Sequence, residues 1–438
     1  MKVNRGGLAS RAEMNRQQCR SKLRIDRPGE TAMVAPAMRV PLLDLSEQYR
    51  SLAGPIQEQF DAIVSSQNFI LGAKVEEFEQ SICDYCGAHH AIGVSSGTDA
   101  LLATLMALGV GPDGAVVTTA YTFFATGGCI ARVGARPIFV DIDRATLNIS
   151  PAALESYLTA QCESNAAGQL QDKSGKILRA IVPVHLFGLC CDMDAINKIA
   201  RRYKLFVIED AAQAIGAEYP RAKDGSQKAG TIGEAGCFSF YPSKNLGAAG
   251  DAGMVVCRDE NLAKRIRILR HHGMEPQYYH HVIGGNFRLD ALQAAILNVK
   301  LPHLDGWSAG RRAIADFYRE EFSRRGLTTF LTLPAEPYRD AGLTNHHIYH
   351  QYVVRTSHRD ALREHLTNRQ VGTAIYYPVG LHQQKCFAYV GYQQGDLPET
   401  ERAARETLAL PIYPELTREM QLYVVKAIAD FFDSRRVS

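Results

Sequence analysis

The 438-residue chain is 46% hydrophobic and 22% charged, with 36 glycines and a formal charge of +3, a balance that suits a globular protein of two packed domains and excludes a fibrous or disulfide-stapled scaffold. It lacks both a run of about 18 apolar residues and the apolar core of a secretory signal, so neither membrane insertion nor secretion is expected. The charge is unevenly spread: residues 1–37 hold eight Lys/Arg against three acids, which leaves the remainder at −2 and without a basic surface for a nucleic acid.

Residues 1–37 have no apolar period and read as a disordered basic tail or an over-extended start, with Met38, before Arg39-Val40-Pro41, as the alternative first residue. The segment Phe78 to Cys86 reads as a helix face. Cys83 and Cys86, followed by His89 and His90, imitate a metal site, but no second pair completes it and no metal is expected. The ten cysteines are scattered, as in a reducing, cytoplasmic compartment.

From residue 90 to 257, short β-branched or apolar runs alternate with helical patterns. The runs are His90 to Val94, Ala115 to Thr118, Pro137 to Ile142, Ile177 to Leu186, Leu205 to Ile208, Cys237 to Tyr241 and Gly253 to Cys257. Between them, Leu101, Leu102, Leu105 and Leu108 share one helical face, and Asp192 can cap a helix reaching Tyr203. This predicts an α/β fold with a large, mostly parallel, helix-covered sheet over residues 38–300. Residues 161–176 are polar and aperiodic, a surface insertion. After Arg288 come an amphipathic run from Leu289 to Val299 and a charged helix from Ser308 to Arg325. Strands near Tyr349 to Val354 and Thr373 to Tyr377 and a helix from Arg418 to Phe432 then predict a smaller α/β domain over 301–438. His346, His347 and His350 fall in the first of those strand patterns and read as structural or pocket histidines.

Four motifs carry chemistry. The strand ending at Val94 runs into Ser95-Ser96-Gly97-Thr98-Asp99 and a helix, which is either a simple cap or a phosphate cradle of backbone N–H groups. Phe206-Val207-Ile208-Glu209-Asp210 sets an acid at the end of an apolar strand, where it either caps a turn or holds a pyridine nitrogen protonated. Ser239-Phe240-Tyr241-Pro242-Ser243-Lys244-Asn245-Leu246-Gly247 puts a lysine in a turn after a strand, either as a solvated charge or as an amine that condenses with an aldehyde. Gly284-Gly285-Asn286-Phe287-Arg288 opens a helix, with no chemistry assignable from physics alone.

Taken in order, these motifs resemble the DegT/StrS family of fold type I sugar aminotransferases, which depend on pyridoxal 5'-phosphate. The resemblance runs from Val40-Pro41-Leu42-Leu43-Asp44-Leu45 to Pro411-Ile412-Tyr413-Pro414-Glu415-Leu416-Thr417, sparing only the tail and the insertion. It implies a seven-stranded large sheet, and Gly97, Thr98 and Ser239 on the cofactor phosphate. Phe123 would stack on the ring, Asp210 pair with the ring nitrogen and Gln213 approach the ring hydroxyl. Lys244 would bond to the cofactor and act as the general base. Asn286 would reach the phosphate of a neighbouring subunit's cofactor, implying a homodimer with shared sites. Arg288, Tyr377 and His382 match positions that line the sugar-nucleotide entrance, and Gly380 stands where a proline is common. His185 is read as structural. A dehydratase branch has histidine at the lysine position, so Lys244 implies transamination, from L-glutamate by family habit, to a nucleotide-linked keto-sugar. A cyclitol or aminoaromatic-acid transaminase, or a cofactor-binding regulatory protein, are the alternatives.

Overall fold

A computed structural model describes residues 38–221 and 225–436, and the expected tail of residues 1–37 lies outside them. Thirteen strands form among the described residues: β1 (His90–Val94), β2 (Gly114–Thr119), β3 (Arg136–Val140), β4 (Cys162–Ser164), β5 (Leu170–Asp172), β6 (Ile177–Val182), β7 (Phe206–Asp210), β8 (Glu218–Arg221), β9 (Gly225–Lys228), β10 (Ala235–Ser239), β11 (Gly253–Cys257), β12 (Tyr352–Arg355) and β13 (Thr407–Leu410). The helices are α1 (Ser46–Ser66), α2 (Ala73–Cys86), α3 (Gly97–Ala107), α4 (Phe124–Arg132), α5 (Pro151–Gln161), α6 (Met193–Tyr203), α7 (Glu260–Arg270), α8 (Ala291–Lys300), α9 (Leu304–Arg324), α10 (Arg359–Asn368), α11 (Pro398–Glu406) and α12 (Arg418–Arg436).

Seven strands form the expected sheet in the order β1-β11-β10-β7-β6-β2-β3. The pairs β7–β10, β6–β7, β2–β6 and β2–β3 are parallel, while β11 runs antiparallel to β1 and β10. Neighbouring side chains along a strand enter opposite cores: Val117 and Val207 lie in one, Val116 and Ile208 in the other. Helices therefore cover both faces, which is why these strands read as continuous apolar runs. Side-chain caps fix the helix starts, with Ser96 accepting from Asp99 N and Asp192 from Ala195 N.

The insertion is more ordered than its composition suggests. β4 and β5 form a hairpin that pairs onto β6 and extends the sheet to nine strands. Its anchor is Asp172, buried, which accepts from Ser174 N, Ser174 Oγ and Lys176 N and lies 3.4 Å from Arg136 Nε.

The C-terminal elements build their own core around β12, β13, α9, α10 and α12, with Phe322, Tyr352, Leu408 and Phe432 at its centre. Val40 joins this core and bridges to Val371. Two strand expectations need correction here. Residues 373–377 form no strand, only a bridge from Ala374 to Ala409. Pairing in the other begins at Tyr352, because Tyr349 turns to a φ of 45° and the buried Arg311 guanidinium takes the carbonyls of Tyr349 and His350 at 3.2 and 3.3 Å. A carbonyl engaged by arginine is no longer available to a ladder.

Candidate active site

The C-terminal ends of β1, β7 and β10 and the start of β11 meet on one edge of the sheet, since Val94 and Ser239 both pair with Gly253. That edge carries three of the four motifs. At its centre is Asp210, 5% exposed, whose carboxylate accepts from Thr126 Oγ1 at 2.8 Å and from Ala212 N at 3.2 Å. Burial pushes the carboxyl up from its ordinary value, opposed by those two hydrogen bonds and by the positive charge of Lys244. Lys244 is half-buried in the turn after β10. Burial lowers its amine to about 8, against the pull of Asp210. The lysine is thus a far better nucleophile near neutrality than a solvated one.

Several contacts fix the lysine turn. Lys244 N donates to Tyr241 O, Asn245 Nδ2 to Ile348 O at 3.0 Å, and Asn245 Oδ1 lies 3.1 Å from His350 Nδ1. The Lys300 ammonium holds the Gly247 carbonyl from below. His350 belongs to the histidine group read as structural or pocket-lining, and it supports this turn.

The α3 N-terminus stands against Ser239 so closely that a Cβ on Gly97 would lie 2.6 Å from Ser239 Cβ. Only glycine fits. Ser96 takes the Asp99 N–H, which leaves the N–H groups of Gly97 and Thr98 with no partner among the described residues. Two free amides, a hydroxyl and a helix dipole are the donor set for a phosphate. Across the site, Phe123 is 58% exposed, so much of its ring is open, with Tyr377 the neighbouring ring at 6.2 Å. Gln213 Nε2 donates to the Tyr377 hydroxyl at 3.2 Å, and its Oε1 accepts from Phe187 N at 2.7 Å. Phosphate donors, an open aromatic face, a buried carboxylate and an activated amine together fit a phosphorylated pyridine aldehyde.

Asn286 is exposed, at a bridge to His271, and Arg288 lies 3.0 Å from His271 Nδ1 and bridges to Val94. Arg288 therefore borders the phosphate cradle, while Asn286 is exposed to solvent two residues before it. His382 is buried, 3.3 Å from Glu401, and packed beside Tyr392. Gly380 serves that packing, because a Cβ there would lie 2.8 Å from the His382 ring and 2.7 Å from Thr400, which explains the absence of proline.

Sequence reasoning missed Thr126, although it lies one turn into α4 after Phe123, and it missed Tyr121, whose hydroxyl lies 2.6 Å from Tyr376 O and accepts from Tyr377 N. A buried polar residue next to an expected ring-stacking aromatic was the available signal.

Residues 51–429 match the model of the DegT/DnrJ/EryC1/StrS aminotransferase family. A pleiotropic regulatory protein of Geobacillus stearothermophilus is 47% identical over 395 residues, spanning 90% of this chain and 99% of that protein. The UDP-N-acetyl-3-dehydro-alpha-D-glucosamine 3-aminotransferase of Acidithiobacillus ferrooxidans is 40% identical, over 87% of this chain and 94% of that enzyme. Among solved structures, Streptomyces venezuelae DesV in complex with a ketimine intermediate superposes with a TM-score of 0.80 at 36% identity, covering 90% of this chain and 98% of its own. On this evidence of sequence and fold together, the chain belongs to the DegT/DnrJ/EryC1/StrS aminotransferase family.

Proposed function

We propose that this protein is a pyridoxal 5'-phosphate-dependent transaminase that moves an amino group, from L-glutamate, onto the keto carbon of a nucleotide-linked sugar. One observation carries the reading: the strand-end cluster of Asp210, Lys244 and the open α3 N-terminus, in which a buried acid and a lowered lysine face each other beside free phosphate donors. The names of the Acidithiobacillus enzyme and of the dTDP-3-amino-3,4,6-trideoxy-alpha-D-glucose transaminase from Streptomyces venezuelae, 36% identical, support the substrate class.

When bound, the cofactor supplies an aldehyde that condenses with amines and a ring that accepts an electron pair. The chain's residues do the rest. Gly97 N, Thr98 N and Ser239 Oγ would anchor the cofactor's phosphate, Phe123 would stack on its ring, and Gln213 would approach its ring hydroxyl. The Asp210 carboxylate keeps the ring nitrogen protonated, and Thr126 keeps that carboxylate charged. Lys244 Nζ, its amine lowered by burial, would be the group that bonds to the cofactor aldehyde and, when free, would serve as the general base that moves the substrate proton. Arg288 and Tyr377 border the opening through which a nucleotide sugar enters.

The same reading makes the protein a homodimer with shared sites. Asn286 is exposed, and the segment before it exposes Tyr278 at 79%, Tyr279 at 67% and Ile283 at 90%, an apolar surface that suits a second copy. Cytoplasmic residence accords with the free thiols of the described cysteines. No helix among the described residues is long and apolar enough to cross a membrane.

The regulatory name of the Geobacillus relative favours a second reading, cofactor binding without turnover. Incubation with L-glutamate and a panel of UDP- and dTDP-linked keto-sugars decides between them. Formation of 2-oxoglutarate together with an amino sugar is expected. Cofactor binding with no amino transfer to any sugar would support the regulatory reading instead.

A further inference from the structure

Directly behind Asp210 lies an ionisable pair with no assigned part in transamination. The side chains of Glu209 and His185 are both fully buried, with His185 Nε2 2.8 Å from Glu209 Oε2. Four N–H donors converge on the Glu209 carboxylate: His185 Nε2 and Gly230 N on Oε2, and Ile232 N and Gly233 N on Oε1, at 2.6 to 2.8 Å. His185 Nδ1 accepts from Cys191 N at 3.1 Å, so the ring proton resides on Nε2 and points at Glu209.

This pair is joined to the site through the main chain. His185 N donates to Asp210 O at 3.0 Å, and Asp210 N donates to Pro183 O at 2.8 Å, so residues 183–185 hold both sides of the Asp210 peptide. Two residues further on, Phe187 N holds Gln213 Oε1 at 2.7 Å. A carboxylate removed from water costs several kcal/mol, and apolar residues of the same volume would fill the space without that penalty. Mere packing does not call for such a pair.

We propose that Glu209 and His185 form a positioning pair that sets the Asp210 carboxylate and the Gln213 amide toward the cofactor ring. The proposal rests on the ring-nitrogen role given to Asp210 above. Glu209 fixes the imidazole tautomer and the loop of Gly230 to Gly233, and the imidazole fixes the strand end and the turn after β6. Neither residue touches the reacting atoms.

The test compares holoenzyme variants E209Q, H185Q, H185L and D210N. An amide at 209 turns an N–H toward one of the two donor pairs whichever way it lies, whereas glutamine at 185 can both donate to Glu209 and accept from Cys191. We expect E209Q and H185L to lose about tenfold in kcat with the KM for the amino donor within about threefold, as for an effect on the reacting geometry rather than on binding. The Kd of pyridoxal phosphate, from quenching of protein fluorescence in the cofactor-free form, should rise in both, and H185Q should stay near the parent. E209Q that melts earlier but keeps parental kcat and Kd would reduce the pair to scaffold and overturn the proposal. Should E209Q not fold, H185L matching H185Q in both kcat and Kd would overturn it equally. D210N separates the two levels of inference: an unimpaired D210N removes the role of Asp210 itself, whereas an impaired D210N beside an unimpaired E209Q removes only the positioning pair.

Discussion

Thr126 Oγ1 lies 2.8 Å from Asp210 Oδ2, and this hydroxyl is the only side-chain donor that the described residues offer the buried carboxylate. Burial raises the Asp210 carboxyl and Thr126 opposes that rise. Removing the hydroxyl in Thr126→Val therefore makes Asp210 easier to protonate and weakens its hold on a protonated ring nitrogen. We expect kcat to fall about tenfold, equivalent to about 1.4 kcal/mol, the size of one hydrogen bond to a charged group. The acidic limb of the kcat–pH profile should move to higher pH, since the carboxylate is lost earlier as pH falls. An unmoved acidic limb would separate this limb from Asp210.

Lys244 gives a second pH dependence, of opposite sense. In the cofactor-free protein its amine is lowered to about 8 from an ordinary 10.5. Between those values the unfolded chain holds a proton that the folded chain has released, so stability rises with pH across that window, and below about 8 the folded state bears the cost of a buried charge. Lys244→Met should remove this rise, which urea titrations at pH 7 and pH 10 would reveal. Modification of Lys244 by an amine-directed reagent, followed by peptide mapping, should reach half its maximal rate near pH 8. In Asp210→Asn the midpoint should fall further, because Asp210 is the charge that holds the amine up.

A third relationship joins the sheet to the C-terminal elements. Asp141, just after β3, accepts from Glu399 N at 2.9 Å and from Thr400 N and Thr400 Oγ1 at 2.8 Å, capping α11 from a distant part of the chain. Asp141→Ala leaves three donors at a helix start without an acceptor. The expected loss is about 1–3 kcal/mol of unfolding free energy, measured in urea, with little change in cofactor affinity. An undiminished unfolding midpoint would mean that water replaces the carboxylate without cost.

Much of this architecture was legible in the chain. The strand runs of His90 to Val94 and Gly253 to Cys257 coincide with β1 and β11, because buried strands covered on both faces leave an uninterrupted apolar signal. The placement of Asp210 as the last residue of β7 and of Lys244 in the turn after β10 was also legible, from the apolar runs that precede them. The insertion hairpin was not, because its order comes from Asp172 and pairing with β6 rather than from an apolar period. Nor was the early bend at Tyr349, where a buried arginine from α9, far along the sequence, takes the carbonyls that a strand would use. The contact of His382 with Glu401 and its close approach to Gly380 were not legible in its local motif either. Local pattern identifies which strand end bears a group, and distant side chains decide where that group points.

The last prediction concerns Asn286, exposed beside Arg288 and next to a surface that includes Tyr278 and Ile283. If Asn286 serves the cofactor phosphate of a second copy, each site draws Lys244 from one chain and Asn286 from the other. Asn286→Ala and Lys244→Ala should each be weak or inactive alone. Mixed and allowed to exchange subunits, they should form dimers in which one site has both intact residues and the other has both lesions. Equal amounts exchanging at random make half of the dimers mixed, so about a quarter of parental activity should return if sites act independently. Because bound cofactor would bridge two chains, its addition should also tighten the dimer, measurable by sedimentation of the cofactor-free protein with and without pyridoxal phosphate. No recovery despite exchange verified by mass spectrometry, or full activity from a monomer, would refute the shared site.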